Sequence, residues 1–483
     1  MTVLMKSLFK NSLYNITYKL FMIAFPLVSS AYVSRVLLPA GVGKVAYAQN
    51  IASYFITIAS LGVGSYGVRE IGKNQKNKSQ YSQTVAELLL VTLISTIVCS
   101  VIYYGMIFSF PYFRSNRALY YAVGIQLILT AANVDWFYQG MEEYGYITIR
   151  SLIIKILTLI GIFVFVKNKN DLVPYALLSS IALAGNNIIN LIHLKKYVVR
   201  FDIHRIELKQ HLKPLLVLLS TGFAVELYTK LDTTTLGLLT SEECVGYYNY
   251  ATKITSIVVN LAASVSTILL PRFSLYREQN RFVQLRKTIE NAQSVILFIS
   301  IPAVIGIVLT AKNMIVFLFG KSFLSAVTTI QILSILVIIK SIGNLYGVQV
   351  LVAFGKEKTL FYTTVLGAIS NVGMNIILIP ILQQNGAAIA SVLSELAVCI
   401  YQCIAARKQI FTKIDKIDLC KIVTATAVMG VVVYIVVHCV SNTFISIMLS
   451  CLMGAFSYFM MSIVLRIKIS DLILKKIKTV LKR

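Results

Sequence analysis

Apolar runs of about twenty residues, joined by short polar links, fill this chain almost from end to end. A helix needs about 20 apolar residues to cross the hydrocarbon core of a bilayer. Fourteen stretches reach that length: Asn11–Val36, Val45–Val68, Ala86–Phe110, Leu119–Tyr138, Tyr146–Val166, Leu172–Leu194, Pro214–Leu239, Tyr247–Leu270, Ala292–Leu309, Ala326–Phe354, Thr359–Ile381, Ala387–Ala406, Leu419–Val440 and Phe444–Leu465. The pattern predicts an all-α polytopic membrane protein with about 14 transmembrane helices. Its longest links, Lys195–Lys213 and Arg272–Asn291, leave no room for a soluble domain.

One polar interruption occurs twice. Gly43, Tyr47 and Ala48 follow the first run, and Gly246, Tyr250 and Ala251 follow the seventh at a constant offset of 203. Six helices separate the copies. Six is even, so both point the same way, as in a parallel repeat about an axis along the membrane normal. A fainter echo links Gly140-Met141-Glu142 to Gly355-Lys356-Glu357, with Thr148 and Thr363 eight residues after each Gly. The expected organisation is two six-helix lobes, residues 1–213 and 214–406, plus two additional helices in 407–466 and a tail in 467–483. Two such lobes would enclose a cavity, the arrangement used for alternating access.

Charge sets the orientation. Of 45 Lys and Arg, 31 fall on one side of this topology. Eight fall on the other: Arg35, Lys44, Arg114, Arg117, Lys167, Lys169, Lys312 and Lys321. The bias places both termini in the cytoplasm. It also explains much of the net charge of +26 as a topology signal that attracts anionic membrane lipids, with no nucleic-acid partner implied. The chain is 57% hydrophobic and only 13% charged, about half the charge of a soluble domain. In the tail, Ile473, Ile477, Val480 and Leu481 share one face and lysines the other, which predicts a basic amphipathic helix on the inner leaflet; a frayed charged tail is the alternative.

Six bases remain inside the apolar runs: Lys19, Arg150, Lys155, Lys230, Lys253 and Lys340. The acids there are Asp135, Glu226, Asp232 and Glu395. Charge in a membrane is costly, so each is a site candidate. Asn15 and Lys19 fall on a broad polar face of the first run, which needs water or protein partners and suits cavity lining better than buried packing. Lys340 is too deep to snorkel easily. Arg35 and Arg150 are the best placed to reach headgroups instead. Glu226 and Lys230 are four apart and can pair as a structural tie. Alternatively, Glu226 or Asp232 could bind a coupling Na⁺ or H⁺. The basic excess suggests an anionic ligand. The expected cavity set is Asn15, Lys19, Arg35, Asp135, Arg150, Lys230, Lys253 and Lys340. The only Trp lies in Asp135-Trp136-Phe137-Tyr138-Gln139-Gly140. Aromatics there suit a membrane-interface belt, a reading that does not account for Asp135.

No catalytic motif is present: no phosphate-binding Gly-rich loop, no zinc spacing and no nucleophile elbow. No enzyme, no metal site and no cofactor are therefore expected. The seven Cys are scattered and read as small packing residues, and the four His stand alone.

Several stretches resemble polysaccharide flippases of the Wzx, or O-antigen transporter, type in the MOP superfamily, which also holds MATE exporters and the lipid II flippase MurJ. They are the Asn15–Tyr18 region, Val33-Ser34-Arg35-Val36-Leu37 with Gly43, Tyr54-Phe55, Leu61-Gly62, Tyr66-Gly67-Val68-Arg69-Glu70, Asp135–Gly140 with Tyr146 and Arg150, and Gly246-Tyr247-Tyr248. The family's Leu-Gly-Pro before the first turn is Leu37-Leu38-Pro39 here, a departure that would stiffen the loop. The resemblance implies export of an undecaprenyl-pyrophosphate-linked oligosaccharide across a bacterial inner membrane, next to polysaccharide polymerase machinery. A MATE-type cation-coupled exporter is the alternative, and its preference for organic cations would call for an acidic cavity. A membrane polymerase or acyltransferase would need a large external loop or a buried His.

Overall fold

The computed structural model describes residues 2–199, 206–472 and 474, with side chains described from residue 25 onward. Every described element is helical. Eleven helices are long and apolar enough to cross a membrane. They account for thirteen of the fourteen expected spans, because two of them hold two spans each. The first is α1 (Thr2–Ser60), interrupted at Leu38 and followed by the short α2 (Val63–Asn74). The second is α15 (Glu357–Arg407), interrupted at Gln383. The chain doubles back tightly there: a Cβ on Gly386 would lie 2.2 Å from the carbonyl oxygen of Leu378.

The remaining span, the fourth in chain order at Leu119–Tyr138, is broken. Helix α4 (Arg117–Thr130) stops, and the single-turn α5 (Asp135–Gly140) follows. Asn133 causes the break: its side chain accepts the Asp135 N–H at 3.1 Å, offering the backbone an alternative to the helix.

The chain forms two compact units, Met1–Thr234 and Thr235–Arg483. In the first, α1 packs on α3 (Lys78–Ser109), α4 and α6 (Tyr144–Phe165). Helix α7 (Leu172–Ala184) covers α4 and α6 and continues into α8 (Asn186–Leu194), while α2 packs on α5. Helix α9 (Lys209–Leu239) crosses the boundary between the units. In the second, α10 (Glu242–Thr267) is followed by α11 (Leu270–Glu278) and α12 (Phe282–Phe319). Helix α10 packs on α13 (Ala326–Ser334), α14 (Leu336–Gly343) and α15. The two additional helices, α16 (Lys416–Cys439) and α17 (Thr443–Val464), pack on each other and on α12, with the Tyr458 hydroxyl donating to the Phe298 carbonyl at 2.8 Å.

The repeated motif has a structural counterpart in each unit. The non-helical residue at the first turn is Leu38, and the N-cap at the second is Ser241, again 203 apart. The motif residues Gly43, Tyr47, Ala48, Gly246, Tyr250 and Ala251 are all buried. Tyr47 meets Tyr112 edge-on in the 3₁₀ turn Pro111–Asn116 that follows α3. Tyr250 stacks on Phe319, centroids 4.2 Å apart, and packs on Phe323 in the 3₁₀ turn Lys321–Phe323 that follows α12. The second echo holds in backbone geometry two residues out of register. The positive-φ residues are Glu142 and Gly355, each closed by an N–H to carbonyl bond five residues back, Glu143 to Tyr138 and Lys356 to Leu351.

The amphipathic tail expected at 467–483 falls for the most part outside the described residues.

Candidate functional site

One end of the first unit gathers most of the polar chemistry the structure describes there. Its frame is the α2–α5 contact, made by two of the segments that carry the family resemblance. Trp136 lies flat against Gly67, where a Cβ would sit 2.3 Å from the indole Cε3. Its Nε1 donates to the Asn133 carbonyl at 3.0 Å. At 3% exposure, Trp136 is an interior residue and no part of an interface belt.

This packing directs Asp135 towards α6 and α8. The Arg150 guanidinium lies 3.1 Å from the Asp135 carboxylate, and Asn190 bridges them, accepting from Arg150 and donating to Asp135. Arg150 also lies over the Tyr146 ring. The pair is lopsided: the Arg150 side chain is 4% exposed and the Asp135 side chain 37%. Arg150 is thus committed to protein partners, and Asp135 presents the accessible charge. Tyr138 donates to the Asn190 carbonyl at 2.8 Å, and the His193 ring stacks on Tyr146 at 4.2 Å.

A second polar centre ties α2, α3 and α9 together. His211 contacts Glu87 through Nε2 at 2.9 Å and the Tyr66 hydroxyl through Nδ1 at 2.8 Å, and all three residues are buried. Glu87 also accepts from Gln83 and from the Glu207 N–H, both at 3.1 Å. In the sequence the four His stand alone, and Glu87 is not among the deep acids expected there. The only signal for it was a carboxylate one residue into an apolar run.

The other expected residues divide as follows. Lys340, too deep to snorkel, pairs with Glu395 at 2.9 Å, from α14 to α15. Lys253 lies over the Tyr250 ring. Arg35 is exposed and donates to the Ala31 carbonyl. Asp232 is buried, and Glu226 and Lys230 are half-buried; no ion pair joins Glu226 to Lys230 among the described residues. The side chains of Asn15 and Lys19 lie outside the described ones. Among the described residues, Arg150 and Lys340 are paired with Asp135 and Glu395, two acids of the same deep set. No group of three metal-ligating side chains occurs among the described residues.

Eleven long apolar helices and buried ion pairs between helices define a multi-pass membrane protein. The fold is shared with two solved transporters. The chain matches the lipid II flippase MurJ in an inward closed conformation with a TM-score of 0.74 at 17% identity, over 95% of this chain and 99% of that one. It matches an inward-facing MATE multidrug transporter with a TM-score of 0.63 at 14% identity, over 80% and 93%. A family model described as polysaccharide biosynthesis protein matches residues 8–276, and the chain belongs to that family. A protein of Escherichia coli (strain K12) named as an O-antigen transporter is 21% identical over 77% of this chain and 89% of its own length.

Proposed function

We propose that the chain is a flippase that carries a lipid-linked oligosaccharide from the inner to the outer leaflet of a bacterial plasma membrane for surface polysaccharide synthesis. The family match over residues 8–276 carries this reading. The O-antigen transporter relative supports the cargo class. The MATE alternative rests on fold alone, with a lower TM-score than the flippase likeness.

The process is transport by alternating access, without a covalent step. The charge bias of the links orients both termini to the cytoplasm. Lys230 and Lys253 are the residues assigned to attract the pyrophosphate or acidic sugars as point charges. Asp232 and Glu226 are the ones assigned to a coupling Na⁺ or H⁺. With Arg150 and Lys340 held in ion pairs, their assigned role is to position helices. Polysaccharide polymerase machinery would receive the exported unit.

The test is reconstitution. Purified protein in liposomes should move a fluorescent undecaprenyl-pyrophosphate oligosaccharide between leaflets without ATP, and Lys230→Ala with Lys253→Ala should slow it at least about tenfold. Leaflet exchange no faster than in protein-free liposomes would overturn the reading.

A further inference from the structure

The reversal at Gln383 brings the two ends of α15 side by side. Its first turn, with Lys356 and Thr359, and its last, with Lys408 and Gln409, line one cavity of about 250 Å³ together with Tyr401 and Ile404. Both lysines are exposed. Neither ammonium forms an ion pair or hydrogen bond with the described residues, and the Thr359 hydroxyl and Gln409 amide are equally unengaged. The cavity therefore presents two cations and, with the Tyr401 phenol, three neutral hydrogen-bonding groups, without a carboxylate in its lining.

Its other wall is apolar and open. Tyr401 and Ile404 are 50% and 54% exposed. Leu393, Leu396 and Ile400 precede them at helical spacing and are exposed as well. The helix from Leu393 to Ile404, eleven steps of about 1.5 Å, makes an apolar track of about 16 Å running from the cavity into the membrane span. At about 250 Å³, the cavity is smaller than the ~300–1,000 Å³ typical of drug-sized ligand sites, too small for an oligosaccharide and suited to a headgroup.

We propose that this cavity binds the phosphate of an anionic phospholipid, held between Lys356 and Lys408 with Thr359 donating, its acyl chain along Leu393–Ile404. A free phosphate ion shares the headgroup chemistry but has no use for the apolar track. The proposal does not depend on the cargo, so it stands or falls apart from the flippase reading.

The experiment is native mass spectrometry of the purified full chain in detergent, titrated with phosphatidylglycerol, phosphatidylcholine or inorganic phosphate. Phosphatidylglycerol should be retained. Lys356→Gln with Lys408→Gln should weaken it about thirtyfold, the factor expected for two lysines near a lipid surface. Lys358→Gln, two residues from Lys356 and outside the cavity, should leave it unchanged. Thr359→Val should weaken binding without altering surface charge. Millimolar inorganic phosphate should not displace the lipid. Equal retention of the two lipids, wild-type retention by the double variant, or displacement by inorganic phosphate would overturn the proposal, the last by making it a soluble-anion site.

Discussion

The His211 Nε2 lies 2.9 Å from Glu87 Oε2, with both side chains under 7% exposed. The two residues are 124 positions apart, on α9 and α3. Glu87 also takes donors from Gln83 and Glu207, so a single carboxylate organises three segments.

Removing that carboxylate should orphan the buried His211 and release the donors from Gln83 and Glu207. Glu87→Ala should cost about 3–5 kcal/mol, the range for breaking a buried pair. Glu87→Gln keeps one acceptor oxygen and should cost clearly less. Denaturant unfolding in detergent measures both, and a loss no larger than that of a surface substitution would refute the role.

The Asp135–Arg150 contact should behave as a coupled unit. Alanine at either position leaves the other ion and Asn190 without their partner. A double-mutant cycle should show coupling above about 1 kcal/mol, whereas exposed ion pairs give about 0–1. Additive single losses would place the pair among weak surface contacts.

Gly67 is required by the flat approach of Trp136. Gly67→Ala places a methyl 2.3 Å from the indole and should destabilise by about 1–3 kcal/mol. Trp136→Phe in the same chain should recover part of the loss by freeing that volume. Thermal melts of the two single variants and the double variant decide the matter.

Leu38 occupies φ 61°, ψ 173°, a region used almost only by glycine. Pro39 enforces the extended ψ. The position is the one where the resembling family carries Gly. Leu38→Gly should relieve about 1–3 kcal/mol of strain against about 0.5–1 kcal/mol of added chain entropy. A net gain of about 1 kcal/mol in unfolding free energy is expected, and a net loss would show that Leu38 packing outweighs the strain.

Asp415 caps α16 and receives Lys468. The Lys468 ammonium, followed by the Asp418 N–H, holds the Asp415 carboxyl below its usual range. Asp415 in turn raises the Lys468 ammonium. A lowered acid stabilises fully above its unfolded pKa, and that stability fades as pH falls through the folded one. A raised base stabilises fully below its unfolded pKa, and that stability fades as pH climbs through the folded one. Their joint contribution should be flat across neutral pH and decline below about 4 and above about 10. Asp415→Asn should remove the acid decline attributable to this pair in a pH series of melting temperatures, and salt should shrink the whole effect.

The sequence by itself determined what depends on local patterning. Apolar length sets where helices cross, because lipid offers no partner for a bare backbone. The broken fourth span shows the limit: the run from Leu119 to Tyr138 is long and apolar enough to cross, with Gln126, Asn133 and Asp135 as its strongly polar members, but Asn133 diverted one backbone N–H and ended a helix. The offset of 203 found in Gly43, Tyr47 and Ala48 was structural to the residue, since Leu38 and Ser241 share it. The lysines and arginines of the deep set were legible as costly charges, but their partners were not. Helix α15 brings Glu395 to 2.9 Å from Lys340, and α9 delivers His211 to Glu87. Helical spacing relates residues three or four apart; which charge neutralises which at fifty or a hundred positions is decided only when the helices pack.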